Sequence, residues 1–344
     1  MKAAILMVGY PESAKKWEVA CENRGIKYIR VDLNKNEWLN KINGFKPDFC
    51  LGRPPGNIIL EKKIYDEKVF FIEQHLHLKV FPSWQESLIY ENKAVLANFL
   101  KTAQIPHPET FVSYNLEESR NFVLNAKYPL VAKTLIGAAG SGVSVINDRD
   151  NALRYIKKAF SDGIKRRFGP NRKTGSASKW VRKAILSPSY FFLKLKEYKR
   201  RDQDVQIGVV LFQEYVPHDF EWRCVKIGES YFAYKKLKIG DKASGAKEFE
   251  YGEPPLEILD FTRNLCNKHN FMLMAVDLFC NDTGIYVNEL QTLFGHKNPF
   301  ICKVNGKEGR YLHKNNEWIF DAGDFNSNES YDLRINTIIE KMKS

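Results

Sequence analysis

The chain has 344 residues, enough for two or three packed domains with sizeable cores. Its hydrophobic fraction of 44% and charged fraction of 27% are those of an ordinary globular protein, which excludes a disordered or fibrous chain. No apolar run reaches the ~18 residues of a membrane-spanning helix, so no membrane span is expected. The net charge of +12 is almost wholly local. Residues 157–204 hold 15 Lys and Arg against 4 Asp and Glu, a net +11. Such a run reads first as a solvated insertion, and second as a positive rim that attracts an anionic substrate or ATP. Trp180, Tyr190, Phe191 and Phe192 lie among these charges, but no nucleic-acid motif accompanies them, so nucleic acid is not the expected partner. The six cysteines are scattered with no CxxC pair, which predicts reduced, buried thiols in a cytoplasmic protein. His75 and His77 alternate, but no further ligand supports a zinc site.

In chain order, the apolar start "AAILMVGY" reads as a first strand over 3–10 rather than a signal peptide. A helix at 11–24, a strand at 27–33, a helix at 35–43 and a strand at 47–52 follow. This alternation predicts a parallel sheet with helices on its faces. "GRPPGN" is then a loop at a strand's carboxyl end, where such sheets place ligands. A helix over 87–103 stops before Pro106 and Pro108. A strand–loop–strand unit over 128–146 and a helix at 149–160 precede the basic stretch. Residues 207–216 read as a strand, and two antiparallel strands meet at a turn around Gly228. A helix at 254–269 leads into a hairpin turning at Asn281 to Gly284. Residues 309–325 predict an added hairpin with its turn at Asn315 and Asn316. No internal repeat is evident.

The segment "YPLVAKTLIGAAGSGVSVI" carries the first chemical signal. Lys133 ends one strand, and Gly137, Gly140, Ser141 and Gly142 form the loop before the next. Glycines permit turns that point several backbone N–H groups at one anion, and a lysine adds a mobile charge. The loop is neither a P-loop, because Val143 follows Gly142, nor a dinucleotide fingerprint, because Val145 stands where the third glycine belongs. The plain alternative is a glycine-rich hairpin turn. The second signal is Asp277 inside the apolar run "MLMAVDLFC", with Glu289 and Gln291 on the following strand. Glu289 and Gln291 are two apart and share a face. Two carboxylates and an amide oxygen suit a hard cation such as Mg2+. The plain alternative pairs the carboxylates with lysines or leaves them facing solvent.

From about Trp84 to Gly295, loop, hinge and carboxylates in this order resemble the ATP-grasp superfamily, and within it carboxylate–amine ligases such as glutathione synthetase and D-alanine–D-alanine ligase. The resemblance implies an α/β (α+β) ATP-grasp fold. A Rossmann-like pre-ATP-grasp domain would occupy 1–84. An ATP-grasp lid subdomain with the basic insertion 157–204 would span 85–212, and a metal-binding subdomain 213–344. "YENKAVLANFLKTAQIPHPET" resembles a family segment in which a lysine-bearing helix runs into Ile-Pro-x-Pro-x-Thr, so Lys93 is the expected first ATP lysine. Asn92 stands where the family often has Asp, and Gln104 replaces the usual Gly. Lys133 matches the second lysine, and Gly137 to Gly142 the phosphate-covering loop. "QEYV" resembles the hinge, so Gln213, Glu214, Tyr215 and Val216 would hold the adenine. Glu221 would reach the ribose, and Arg223 would stabilise the transferred phosphoryl group. Asp277, Glu289 and Gln291 match the metal ligands, with Gln291 one methylene longer than the common Asn. "KIGDKASGAKEFEYG" resembles a basic segment ahead of the metal strands, which adds Lys235 as an ATP contact and Lys242 and Ser244 as substrate contacts.

The resemblance implies ATP and Mg2+, with Mn2+ able to substitute, and small-molecule carboxylate and amine substrates. It implies one triphosphate held between two lobes, an acyl phosphate intermediate and release of ADP. A homodimer is the default state. Two other functions remain open at this point. One is an ATP-grasp kinase that stops at phosphoryl transfer. The other is a basic polyanion-binding protein with a degenerate ATP site.

Overall fold

A computed structural model describes residues 1–9, 14–137, 140–166, 203–238, 248–294 and 298–343. The chain forms two compact units. One comprises Met1–Gly56, Leu60–Pro108 and Val216–Ser344; the other Asn57–Ile59 and Glu109–Tyr215.

The first unit begins with β1 (Lys2–Met7), α1 (Lys15–Glu22), β2 (Lys27–Asp32), α2 (Trp38–Phe45), β3 (Phe49–Gly52), α3 (Ile59–Gln74) and β4 (Val80–Phe81). The four strands make a parallel sheet in the order β2-β1-β3-β4, as the alternation predicts. After the exposed Lys2, β1 is apolar because both of its faces are covered. Ala3, Ile5 and Met7 pack with Trp17, Phe49 and Leu51, whereas Ala4 and Leu6 pack with Tyr65, Val69 and Ile72 of α3. No expectation covered α3. Its charged composition hides the apolar stripe, and one of its lysines is itself internal: Lys62 Nζ donates to Asp66 Oδ1 at 2.5 Å and to the Ser87 carbonyl at 2.7 Å. The single helix expected over 87–103 is two, α4 (Trp84–Ile89) and α5 (Lys93–Thr102). Glu91 has φ +51°, and the Asn92 side chain caps α5 by accepting from Val95 N at 3.3 Å. The break sets Lys93 as the first residue of α5.

The second unit contains β5 (Thr110–Ser113), α6 (Leu116–Asn125), β6 (Leu130–Lys133), β7 (Val143–Ile146), α7 (Arg149–Phe160), the short pair β8 (Ile164–Lys165) and β9 (Val205–Gln206), and β10 (Val210–Glu214). Its sheet has the order β5-β10-β6-β7 and is antiparallel. Side chains of Asn115 and Asp148 cap α6 and α7. Both helices cover one face, and Val123, Ala132, Ile156 and Phe212 form the core. The basic stretch lies largely outside the described residues.

After β10 the chain returns to the first unit with β11 (Phe220–Ile227), β12 (Ser230–Leu237), β13 (Phe249–Glu250), α8 (Leu256–Lys268), β14 (Leu273–Asn281), β15 (Gly284–Gln291), β16 (Lys303–Val304), β17 (Lys307–Lys314), β18 (Glu317–Ala322) and α9 (Tyr331–Lys343). The eight strands run β15-β14-β11-β12-β17-β16, with β13 on β12 and β18 on β17. Expected turns occur at Gly228 (φ +58°) and at Asn315 and Asn316 (φ +51° and +63°), where left-handed backbone suits Gly and Asn. α8 buries Ile258, Leu259, Leu265 and Cys266 in the core of this sheet. No helix among the described residues is long and apolar enough to cross a membrane. The six cysteines are unpaired, five of them buried and Cys280 exposed.

Candidate functional site

The strongest geometry is on one face of the large sheet. Arg223 on β11 stands opposite Asp277 on β14, and Asp277 opposite Glu289 on β15. Directly opposed residues on adjacent strands project to the same face, so the three form one row across the sheet. Glu221 lies two residues before Arg223 on that face, opposite Lys236 of β12. Gln291 lies two after Glu289. A bulge completes the set. Asp277 pairs with Glu289 but Leu278 pairs with Val287, which leaves Asn288 as the extra residue. The bulge turns Asn288 toward the row, where its Nδ2 donates to Glu221 Oε1 at 3.1 Å.

The charges in the row are tightly matched. Arg223 Nε and Nη2 donate to the two Asp277 oxygens at 2.6 and 2.7 Å, a bidentate pair. Lys236 Nζ donates to Asp277 Oδ2 at 2.8 Å and to Glu221 Oε2 at 2.6 Å. Arg223 Nη2 also donates to Gln291 Oε1 at 3.1 Å, and Gln291 Nε2 donates to Glu289 Oε2 at 3.0 Å. Burial alone would raise the Asp277 carboxyl, but the charges of Arg223 and Lys236 outweigh it and hold it well below the usual carboxylate range. Burial also opposes the charge on Lys236, and Asp277 and Glu221 more than restore it.

Glu91 joins this neighbourhood from the break between α4 and α5. Lys93 Nζ lies 3.7 Å from its Oε2. Burial pushes the Glu91 carboxyl up to about 7; Lys93 and Arg223 pull against the rise, and the charge of Glu289 adds to it. Lys93, Glu221, Arg223, Asp277, Glu289 and Gln291 are thus gathered in the first unit. Lys235 is set apart from them. It faces away, stands opposite Trp222, pairs with Glu250 at 2.6 Å and lies over the Phe220 and Trp222 rings. Adjacent residues on a strand point to opposite faces, so Lys236, not Lys235, reaches the carboxylates. Nothing in the sequence pattern marks Lys236, Glu91 or Asn288 directly. Period-two alternation from Arg223 through the Gly228 turn could have found Lys236. A bulge and a helix break leave no comparable signal.

In the second unit, Lys133 ends β6 opposite Val143, and the glycine turn spans the gap between them. Thr134 N donates to the Gly142 carbonyl at 2.9 Å. Gly140 has φ +66°, and a Cβ on Gly142 would stand 1.8 Å from Thr134 Oγ1, so the turn needs glycine at both places. Ser141 Oγ is buried with no hydrogen-bond partner among the described residues. Gln213 and Glu214 end β10, and the Gln213 side chain donates to Thr110 Oγ1 at 3.1 Å. Tyr215 closes the second unit. Val216 opens the returning part of the first, where its carbonyl accepts from His218 Nδ1 at 2.7 Å. Lys242 and Ser244 lie outside the described residues.

These features fit the groups they imply. A glycine turn with an orphaned hydroxyl beside a buried lysine suits a phosphate. Two carboxylates and an amide oxygen on one face suit Mg2+, which takes few protein ligands. Among the described residues no three His, Cys, Asp or Glu side chains form a cage for a metal.

The architecture is that of the ATP-grasp fold. Solved structures with the same fold include the RimK-domain ATP-grasp protein of Sphaerobacter thermophilus (16% identity over 84% of this chain and 90% of that one, TM-score 0.53). They also include D-alanine–D-alanine ligase of Bacillus anthracis (14%, 100% and 97%, TM-score 0.55) and an N5-carboxyaminoimidazole ribonucleotide synthetase solved with ADP (14%, 87% and 71%, TM-score 0.54). No family profile and no curated protein matches the sequence.

Proposed function

We propose that this protein is a cytoplasmic, ADP-forming ligase that couples a small or saccharide-linked carboxylate to an amine through an acyl phosphate. The observation that carries the reading is the row Arg223–Asp277–Glu289, with Lys236 and Gln291 beside it, within an ATP-grasp fold. In the reaction, a substrate carboxylate oxygen attacks the γ-phosphorus and the bond to the β-bridging oxygen breaks, releasing ADP. An amine then attacks the acyl carbon, phosphate leaves and the amine gives up a proton.

The chain's residues position groups and offset charge rather than form covalent bonds. Lys93, Lys133 and the turn residues Gly137, Gly140, Ser141 and Gly142 would hold phosphate oxygens. Backbone groups of Gln213 to Val216 would take the adenine and Glu221 the ribose. Arg223 would offset charge on the transferred group and on the later oxyanion. Asp277, Glu289 and Gln291 would hold Mg2+, which when bound supplies charge neutralisation at the phosphates; Asp277 would be shared with Arg223 and Lys236. The proposal includes an accessory domain over 1–84, a lid over 85–212 and a metal-binding part over 213–344, although residues 85–108 group with the first compact unit and 213–215 with the second.

The test is ADP release with MgATP and libraries of carboxylates and amines, run with and without hydroxylamine. Release of ADP with a trapped hydroxamate is the expected result. ADP release without hydroxamate would make the protein a kinase. No turnover together with steeply salt-dependent polyanion binding would make it a binding protein.

A further inference from the structure

The glycine turn after β6 is tied to a second pair of strands in its own unit. β8 and β9 run antiparallel, with Ile164 opposite Gln206 and Lys165 opposite Val205. Arg166 follows β8, Asp204 precedes β9, and Gln206 ends it. Arg166 and Gln206 are both buried. The Arg166 Nη2 donates to the Asn57 carbonyl at 2.6 Å and to Asp204 Oδ2, and the two Asp204 oxygens accept from Ile59 N at 3.2 and 3.3 Å. An arginine goes inside only when paired, and this one is. The basic run continues directly from it: residues 167–202 hold 11 Lys and Arg against 2 Asp and Glu. Arg166 thus differs from the rest of that run in being committed to the fold.

Two of these side chains reach the turn. Gln206 Oε1 accepts from Leu135 N at 2.8 Å. The Arg166 side chain packs on Gly137, where an added Cβ would stand 3.0 Å from Arg166 Cδ and 3.2 Å from its Nη1. Within the turn, Thr134 N donates to the Gly142 carbonyl at 2.9 Å and Thr134 Oγ1 to the Ile136 carbonyl at 3.1 Å. Thr134 therefore closes the turn on itself, and Gln206 and Arg166 fasten it to β8 and β9. Glycine-rich backbone loses the most freedom on ordering, and any ordering left until a ligand arrives is subtracted from its affinity. A turn that gathers amides around an anion gains from being braced beforehand, and glycines offer no side chains to do it.

We propose that Gln206 and Arg166 are positioning residues of the phosphate-binding turn. Gln206 fixes the Leu135 amide, Arg166 fixes the backbone at Gly137, and the ion pair with Asp204 holds the guanidinium in place. Both act through the turn backbone, and neither touches the nucleotide. Their effect is therefore felt by the outer phosphates of ATP and not by its nucleoside end. This rests on the reading of the turn as a phosphate site; the bracing of the turn does not.

The test uses the full chain and two readouts. Amide hydrogen exchange over residues 128–146 is followed without nucleotide, and binding of MgATP and of AMP is measured by calorimetry. Gln206→Leu and Arg166→Met should each speed exchange in this segment about tenfold and weaken MgATP about tenfold, with AMP within about twofold of wild type. Arg166→Lys, which keeps the charge for Asp204, should lie between. Arg166→Met leaves Asp204 without its partner, so if it folds poorly Gln206→Leu, which removes only an acceptor, decides. Lys165→Ala trims an exposed neighbour of the same charge and should match wild type in both readouts. Exchange in Gln206→Leu that matches wild type overturns the brace. Equal weakening of MgATP and AMP overturns the positioning role, since a general loss of structure would do the same. A MgATP loss in Lys165→Ala as large as in Arg166→Met also overturns it, because charge alone would then explain the effect. Wild type that binds neither nucleotide sinks the phosphate reading and this role with it, while the exchange comparison shows separately whether the brace holds.

Discussion

Two arginines in the same unit are buried in opposite ways. Arg223 is locked into a bidentate pair with Asp277, and Lys236, Glu221, Gln291 and Glu289 extend the pairing along the sheet. Arg334 has carbonyl, hydroxyl and ring contacts and, among the described residues, no salt bridge, with Glu329 only an electrostatic neighbour. The first is a closed electrostatic network, held by strands whose register fixes every distance. The second is an open one, held by a helix end. The contrast teaches where each site spends its charge. Both oxygens of Asp277 in the closed network are taken by Arg223 and Lys236, so a phosphate or a cation entering it must exchange partners.

The sharpest break in the closed network is Asp277→Ala. It leaves Arg223 and Lys236 buried without their shared partner. The expected loss is about 3–5 kcal/mol of stability, in the range for breaking a buried pair, together with all ADP formation. Chemical denaturation measures the first and a coupled ADP assay the second. Glu289→Ala should separate the two effects. Glu289 bonds only to Gln291 within the network, so the fold should persist while turnover falls by about 10³-fold or more. Full turnover of this variant with Mg2+ would refute the metal assignment.

Acid should open the same network gradually. Asp277 has an ordinary value of 3.8 when unfolded and is held below it when folded. As pH falls, the unfolded chain takes up the proton first. The stability from this carboxylate is therefore complete above about pH 5 and lost progressively below the ordinary value. Asp277→Asn should lag wild type in urea melts at pH 7 by more than at pH 3. An equal gap at both would show that the pair contributes nothing through its charge.

The same contrast explains what the sequence could and could not reveal. Asp277 stood out because charge inside an apolar strand needs compensation, and the turn at Asn281 to Gly284 makes Glu289 its cross-strand neighbour, whereas Arg223 was marked by the family resemblance alone, because its pairing with β14 crosses strands that no turn joins. The hairpin at Asn315 and Asn316 was legible for a similar reason, since few residues accept two successive left-handed positions. Arg334 was not legible. Its burial depends on α9, whose charged sequence "YDLRINTIIEKMK" shows only a narrow apolar stripe, and on packing against Phe294 from a segment 40 residues earlier. Glu91 was hidden by the expectation of one continuous helix, which its φ of +51° interrupts. α3 was missed because Lys62 and Asp66 look like surface residues and are a buried pair.

The smallest expected effect compares two neighbours on β12. Lys236→Ala removes a cation that bridges Glu221 and Asp277, so it should lower kcat/KM by about 10²-fold and weaken ATP binding. Lys235→Ala removes a half-exposed lysine that pairs with an exposed Glu250 on the other face. Exposed pairs contribute about 0–1 kcal/mol, and the lost ring contacts with Phe220 and Trp222 add a similar amount. Turnover should stay within about twofold, since nothing on the carboxylate face changes. The two variants differ only in which face of one strand is trimmed. A large activity loss in Lys235→Ala with little in Lys236→Ala would mean that the working face of the sheet is the one bearing Trp222, and the row of Arg223, Asp277 and Glu289 would be a structural ion-pair network.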